Sequence, residues 1–237
     1  MTSSPPLPHG HDVHRTAVET LARRITDGAY DVGRRLRPPV LAAELGFVEP
    51  VLGEAVRVLA AKGVVDAGHR VLPRAEWNVL DADVLRWTLT EAHEPLGSFD
   101  VFPDLHELRR AVEPSAAALA AQFRSPEDLS ALGASLSAMA EAERLDRAPH
   151  AELAARADAT FHTTLLTASG NRFFARLAHV LAPPLTARSE RVHAGPHHHP
   201  LPTHTEVAAR VRDRDADGAY TAMLELLDLS LRDDPTP

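Results

Sequence analysis

Residues 40–72, VLAAELGFVEPVLGEAVRVLAAKGVVDAGHRVL, compress two helices and a tight turn into one run. Residues 40–45 make a short apolar helix stopped by Gly46, since glycine takes the left-handed conformation that closes a helix. Pro50 suits the first turn of a second helix. Leu52, Ala55, Val56 and Leu59 then recur at helical spacing as far as Gly63. Val64-Val65 and Val71-Leu72 flank Ala67-Gly68, which predicts two short strands around a tight turn. Upstream, Val13, Ala17, Leu21 and Ile25 share one helical face ended by Gly28, before the breakers Gly33 and Pro38-Pro39. Helix, helix-turn-helix, hairpin: residues 13–76 are predicted to be a winged helix-turn-helix.

On either side the pattern changes. Residues 1–12 hold three prolines, two serines and two histidines with no apolar period, and read as a disordered tail. Residues 77–97 form a linker with its own apolar content (Trp77, Leu80, Val84, Leu85, Trp87, Leu89) and are expected to pack between the domains. Residues 98–237 are predicted to be helical over 103–123, 126–145, 150–169, 171–193, 203–214 and 216–231, with Ser125 and Asn171 as caps. Six such helices joined by short loops make an antiparallel bundle. The fold class is therefore mostly α.

Composition narrows the function. Hydrophobic residues at 44% and charged residues at 24% are ordinary for a globular chain. No apolar run is long enough to span a membrane and no leader is apparent, so a cytoplasmic protein is expected. The absence of cysteine excludes disulfides, thiolate metal sites and cysteine nucleophiles. The net charge of −8 is unevenly spread: residues 13–76 carry ten basic and eight acidic residues, and the acidic excess lies elsewhere. DNA binding by the head alone is compatible with that distribution, although the electrostatic footprint is weak. No nucleophile elbow and no glycine-rich phosphate loop is present, which argues against an enzyme.

Several phrases together resemble the GntR family of transcription regulators, in its FadR branch with an FCD ligand-binding domain. In the head they are Leu45-Gly46, Glu54-Ala55-Val56-Arg57-Val58-Leu59 and Lys62-Gly63-Val64-Val65. In the body they are Leu108-Arg109-Arg110-Ala111-Val112-Glu113-Pro114, Asp158 with His162, Ser169-Gly170-Asn171, and His204 followed by Asp215, Ala219 and Met223. The linker 77–85 resembles that of members regulating sugar-acid catabolism. The resemblance implies a homodimer that binds double-stranded operator DNA and responds to a small organic-acid effector. The alternative is a ligand or metal sensor whose reading head has degenerated and no longer binds DNA.

The head departs from the family where it should read DNA. The family has Ser-Arg-Thr entering the second helix and an arginine just before Glu-Ala; here those slots hold Val48, Glu49, Pro50 and Gly53. The remaining candidates for DNA are Arg34, Arg35, Arg37, Arg57, His69, Arg70 and Arg74, each either a phosphate contact or a solvated charge.

In the body, Asp158 and His162 are four apart and so project from one helical face. A carboxylate and an imidazole so placed can share a divalent ion such as Zn²⁺, Ni²⁺ or Mn²⁺. The resemblance adds His204 as a third ligand and puts Leu226 where the family has a fourth, which implies weakened binding. A buried hydrogen-bonded trio without metal is the other reading. His193 and the run His197-His198-His199 are conceivable substitutes. Arg109 offers a bidentate fork to an effector carboxylate, or else pairs with Glu113 four residues on.

Overall fold

The computed structural model describes residues 10–89, 102–145, 147–194 and 201–232. Most of the expected tail, the end of the linker and His197-His198-His199 lie outside these residues, as does the side chain of His193. The chain divides into two compact units, residues 1–99 and 100–237.

The first unit holds α1 (Gly10–Thr26), α2 (Pro38–Leu45), α3 (Glu49–Ala61), a single 3-10 turn (Arg74–Glu76) and α4 (Ala82–Leu89). Gly46 closes α2 at φ 75°, donating its N–H to the Ala42 carbonyl, so the turn between α2 and α3 is fixed where the glycine stands. Pro50 lies in the first turn of α3. Leu52, Ala55, Val56 and Leu59 are buried against Ala17, Leu21 and Ile25 of α1 and Leu41 of α2. Each such leucine, fully removed from water, contributes about 1.5–3 kcal/mol.

The predicted hairpin is reduced to two antiparallel bridges, Val65 with Val71 and Arg35 with Arg70. Two backbone bonds pair the arms of the hairpin, and three more tie it to residues 33–36. Leu72 N–H reaches Val64 O and Asp66 N–H reaches Arg70 O on one side; Val71 N–H reaches Arg34 O on the other. The turn is set by Asp66, whose Oδ1 accepts from the Arg70 N–H at 2.8 Å, and by His69 at φ 61°.

Linker residues 77–89 join this core. Trp77, Val84 and Trp87 are buried within it, the Trp77 Nε1–H donating to the Leu72 carbonyl (2.9 Å) and the Trp87 Nε1–H to Glu19 (2.9 Å). Glu19 also accepts from Arg86, and Lys62 at the end of α3 is 3.0 Å from Asp81 and 2.8 Å from Asp83. The helix α4 is thus latched to α1 and α3 by two ionic clamps.

The second unit holds α5 (Phe102–Phe123), α6 (Pro126–Arg144), α7 (Arg147–Ala168), α8 (Arg172–Ala194), α9 (Leu201–Arg212) and α10 (Ala216–Arg232). Ser125 caps α6 in a reciprocal box with Asp128. Gly170 (φ 68°) ends α7, and the Asn171 side chain accepts the Phe173 N–H to open α8. Helix α5 packs on α7, α9 and α10, and α6 packs on α7 and α9. The core between them is rich in alanine (Ala117, Ala120, Ala121, Ala157), which lets the helices approach closely around Phe161, Leu165, Val207 and Leu226. No helix among the described residues is long and apolar enough to cross a membrane.

Candidate functional site

The contact of α5 with both α7 and α9 gathers the polar residues of this otherwise apolar core. Asp158 and His162 stand one turn apart on α7, and His204 comes from the first turn of α9. All three are buried. The Asp158 Oδ1 lies 3.0 Å from His204 Nε2 and 3.7 Å from His162 Nε2. The ring of Phe161 meets both imidazoles edge-on, fixing their planes. With metal–ligand bonds of about 2.0–2.1 Å, the ligand–ligand edge of a tetrahedral zinc site is about 3.4 Å. The two Asp158 distances bracket that edge, and one donor atom from each residue lies within 4.8 Å of the others. The trio could therefore hold a divalent ion with a small contraction.

The fourth family position does not contribute. Leu226 on α10 is fully buried among Met223 and Leu227 in the same cluster as Phe161.

Arg109 and Glu113, one turn apart on α5, complete the cluster. Both are 1% exposed. The Arg109 Nε–H donates to Glu113 Oε1 at 2.7 Å, and Arg109 Nη2 lies 3.0 Å from His162 Nε2. Glu113 Oε2 is 2.7 Å from His162 Nδ1. The Arg109 Nη1 is buried with no hydrogen-bond partner among the described residues. Of the two sequence alternatives for Arg109, the pairing with Glu113 is the one the geometry displays, with Nη1 left over. Glu113 itself is the residue that sequence reasoning undervalued, having placed it only as the partner of Arg109. The signal was present, since His106, Arg109 and Glu113 fall on the buried face of α5 at helical spacing.

Charge explains the protonation behaviour. One guanidinium faces two carboxylates, so with neutral imidazoles the buried group carries one net negative charge. Burial disfavours the ionised form of Glu113, but the charges of Arg109 and His162 outweigh it and hold the carboxyl at about 2. Burial opposes Asp158 likewise, and hydrogen bonding to the two imidazoles overrides it, placing the group well below 3.8. For His162, burial and Arg109 oppose a proton. Glu113 and the hydrogen bonds of Asp158 prevail, so its pKa is raised. The surplus negative charge attracts a cation, and either a proton or a metal ion would satisfy it.

Residues 104–229, just over half of the chain, match the FCD domain family. The chain belongs to the FCD family of GntR-type transcription regulators. It is 29% identical over 223 residues to the galactonate operon transcriptional repressor of Escherichia coli (strain K12), covering 91% of this chain and 93% of that one. It is 33% identical over 174 residues to the uncharacterised HTH-type transcriptional regulator YieP of the same organism, covering 68% and 70%. Among solved structures, Lar, which controls the expression of the Listeria monocytogenes agr system, superposes over 98% of both chains with a TM-score of 0.62 at 17% identity, a likeness of fold.

In the head of this FCD regulator the basic candidates divide. Arg34 stacks on the Tyr30 ring and pairs with Glu44 at 3.1 Å. Arg57 pairs with Glu54 one turn earlier on α3. Arg74 donates to the Thr26 carbonyl at 2.6 Å and lies over Trp77, and Arg70 donates to the Gly33 carbonyl at 3.0 Å. Arg35 and Arg37 are exposed, and His69 is half-buried in the turn. The amino end of α3 begins with the exposed Val48, which offers no side-chain cap, and with Glu49 in its first turn. The helix that the family lays in the major groove thus presents two carboxylates and one already-paired arginine.

Proposed function

We propose that this FCD regulator binds operator DNA as a homodimer through its winged unit and is controlled by a small organic acid, of the sugar-acid class, bound beside a divalent ion. The observation that carries this reading is the buried Asp158, His162 and His204 group next to Arg109 with its unused Nη1. A buried guanidinium donor without a partner is costly, and a carboxylate is the ligand that answers both its geometry and its charge. The arithmetic of charge agrees. A divalent ion turns the group from one net negative to one net positive, and a monocarboxylate then brings it to zero. Similarity to the galactonate operon repressor supports the sugar-acid class.

A divalent ion bound here would supply a Lewis-acidic point for the effector's oxygens. The chain's own residues do the rest. Arg109 grips the carboxylate, Glu113 orients His162, and Phe161 keeps both imidazole planes fixed. The dimer sets two heads about one DNA turn (~34 Å) or a multiple of it apart. Ligand binding biases the linker at 77–87 and with it the spacing of the heads, which requires that the acid favour one arrangement over the other.

A second reading, a sensor without operator affinity, is favoured by Glu49, Gly53 and the Arg57–Glu54 pair on α3. Gel-shift titrations of the zinc-loaded protein against the DNA upstream of its own operon, with and without D-galactonate and related sugar acids, separate the two. A shift that a sugar acid reverses supports the main reading. A shift that no sugar acid alters removes the effector from it, and the absence of any shift selects the second reading.

A further inference from the structure

The position of Arg109 implies a coupling that the metal and effector sites do not each contain alone. His162 has two ring nitrogens, and the distances assign their roles. A guanidinium has only donors, so when His162 is neutral its Nε2 is the acceptor for Arg109 Nη2 at 3.0 Å. Nδ1 then carries the proton; it lies 2.7 Å from Glu113 Oε2, a close ionic approach that is not aligned as a hydrogen bond. Nε2, 3.7 Å from Asp158 Oδ1, is the nitrogen that a metal ion shared with Asp158 and His204 would use through that same lone pair. Arg109 Nη2 and a metal ion cannot hold it together.

We infer that Arg109 and a divalent ion compete for His162 Nε2, so that loading the ion frees Nη2 to join Nη1 as a two-pronged grip for a carboxylate. This rests on the metal reading given above and adds its regulation. Glu113 is the fixed point of the exchange. It holds the Arg109 Nε–H at 2.7 Å on one side and His162 Nδ1 on the other, so the guanidinium can pivot about Nε without losing its counter-ion. Nη1, buried and without a hydrogen-bond partner among the described residues, shows that the guanidinium already has one prong free; release of Nη2 supplies the second. Bidentate recognition of carboxylate needs both. Metal and acid are therefore expected to bind with positive cooperativity, and by linkage each strengthens the other equally.

The test uses the full chain, stripped of metal by chelation, and Zn²⁺ alone as the probe. Arg109→Lys keeps a positive charge beside Glu113 but lacks the second nitrogen that reaches His162. Calorimetric titration is expected to show Zn²⁺ binding to Arg109→Lys at least tenfold more tightly than to the unsubstituted protein. Equal or weaker binding by Arg109→Lys overturns the competition while leaving the metal site intact. No Zn²⁺ binding by either protein overturns the metal reading and the competition with it. A measurement without substitution covers the case in which Arg109→Lys does not fold. In ¹H–¹⁵N spectra of the unsubstituted protein, Zn²⁺ should move the Arg109 guanidinium signals and speed exchange of its Nη protons; signals that stay put overturn the proposal.

Discussion

Glu113 is the hinge on which the buried cluster turns. It is 1% exposed and neutralises a guanidinium that, among the described residues, has no other carboxylate within hydrogen-bond reach. Removing one partner of a buried ion pair leaves the other uncompensated, at a cost of about 3–5 kcal/mol. Glu113→Ala should lower the stability of the second unit by that amount in urea titration followed by circular dichroism. A loss below about 1 kcal/mol, the range of a surface pair, would mean that Arg109 is solvated after all. Leu226 poses the opposite question. Leu226→His places a polar ring in a fully buried apolar cluster and should destabilise the metal-free chain by about 1–3 kcal/mol. If the trio holds metal, the added imidazole should raise Zn²⁺ affinity and recover the lost stability when zinc is present. A melting temperature that zinc leaves unchanged would make the trio structural.

At the level of elements, α4 behaves as part of the head. Lys62 at the end of α3 bridges Asp81 and Asp83, and Glu19 of α1 holds Arg86 and Trp87. Lys62→Met should cost about 1 kcal/mol or less, because the pairs are partly solvated. Its clearer effect should be faster hydrogen exchange through 82–89, measured by mass spectrometry, with α2 unaffected. Exchange unchanged over 82–89 would mean that the buried Val84 and Trp87 alone seat the helix. The elements show what a linear reading can and cannot deliver. Gly46, Gly63, Gly170 and Ser125 mark helix ends by local backbone chemistry, and the helices of both units fall close to where these residues predict. The hairpin shrank to bridges because Val64-Val65 and Val71-Leu72 are too short to sustain a ladder, and nothing in two-residue runs reveals how many bonds will form. The pairing of Arg34 with Glu44, ten residues away on α2, was equally hidden, since it depends on how two elements meet. The trio of Asp158, His162 and His204 was legible only in part. Spacing gives Asp158 with His162, but joining them to His204, 46 residues on, needs the fold or a family resemblance.

Across the whole molecule the two units have separate cores. The buried titratable cluster lies in the second alone. Glu113 and Asp158 have pKa values below their ordinary 4.5 and 3.8, so their contribution to stability is complete above those values and fades as pH falls through the lowered values, about 2 for Glu113. His162 has a raised pKa, so its contribution is complete below 6.5 and fades as pH rises through the raised value. The second unit should thus be most stable between about pH 5 and 6.5, with a loss on either side visible in scanning calorimetry of metal-free protein. A maximum above pH 8 would contradict the protonation scheme. The first unit has no such cluster among its described residues, and its transition should move little over the same range.

Both tryptophans of the chain, Trp77 and Trp87, are buried in the first unit, each with its indole N–H committed to a named acceptor. The residues proposed to receive metal and acid all belong to the second. Ultraviolet emission excited at the indole band therefore comes from one unit only, and a spectral change on adding zinc or a sugar acid would report on a unit that holds none of the proposed ligands. This regulator carries its own dye, placed at the receiving end.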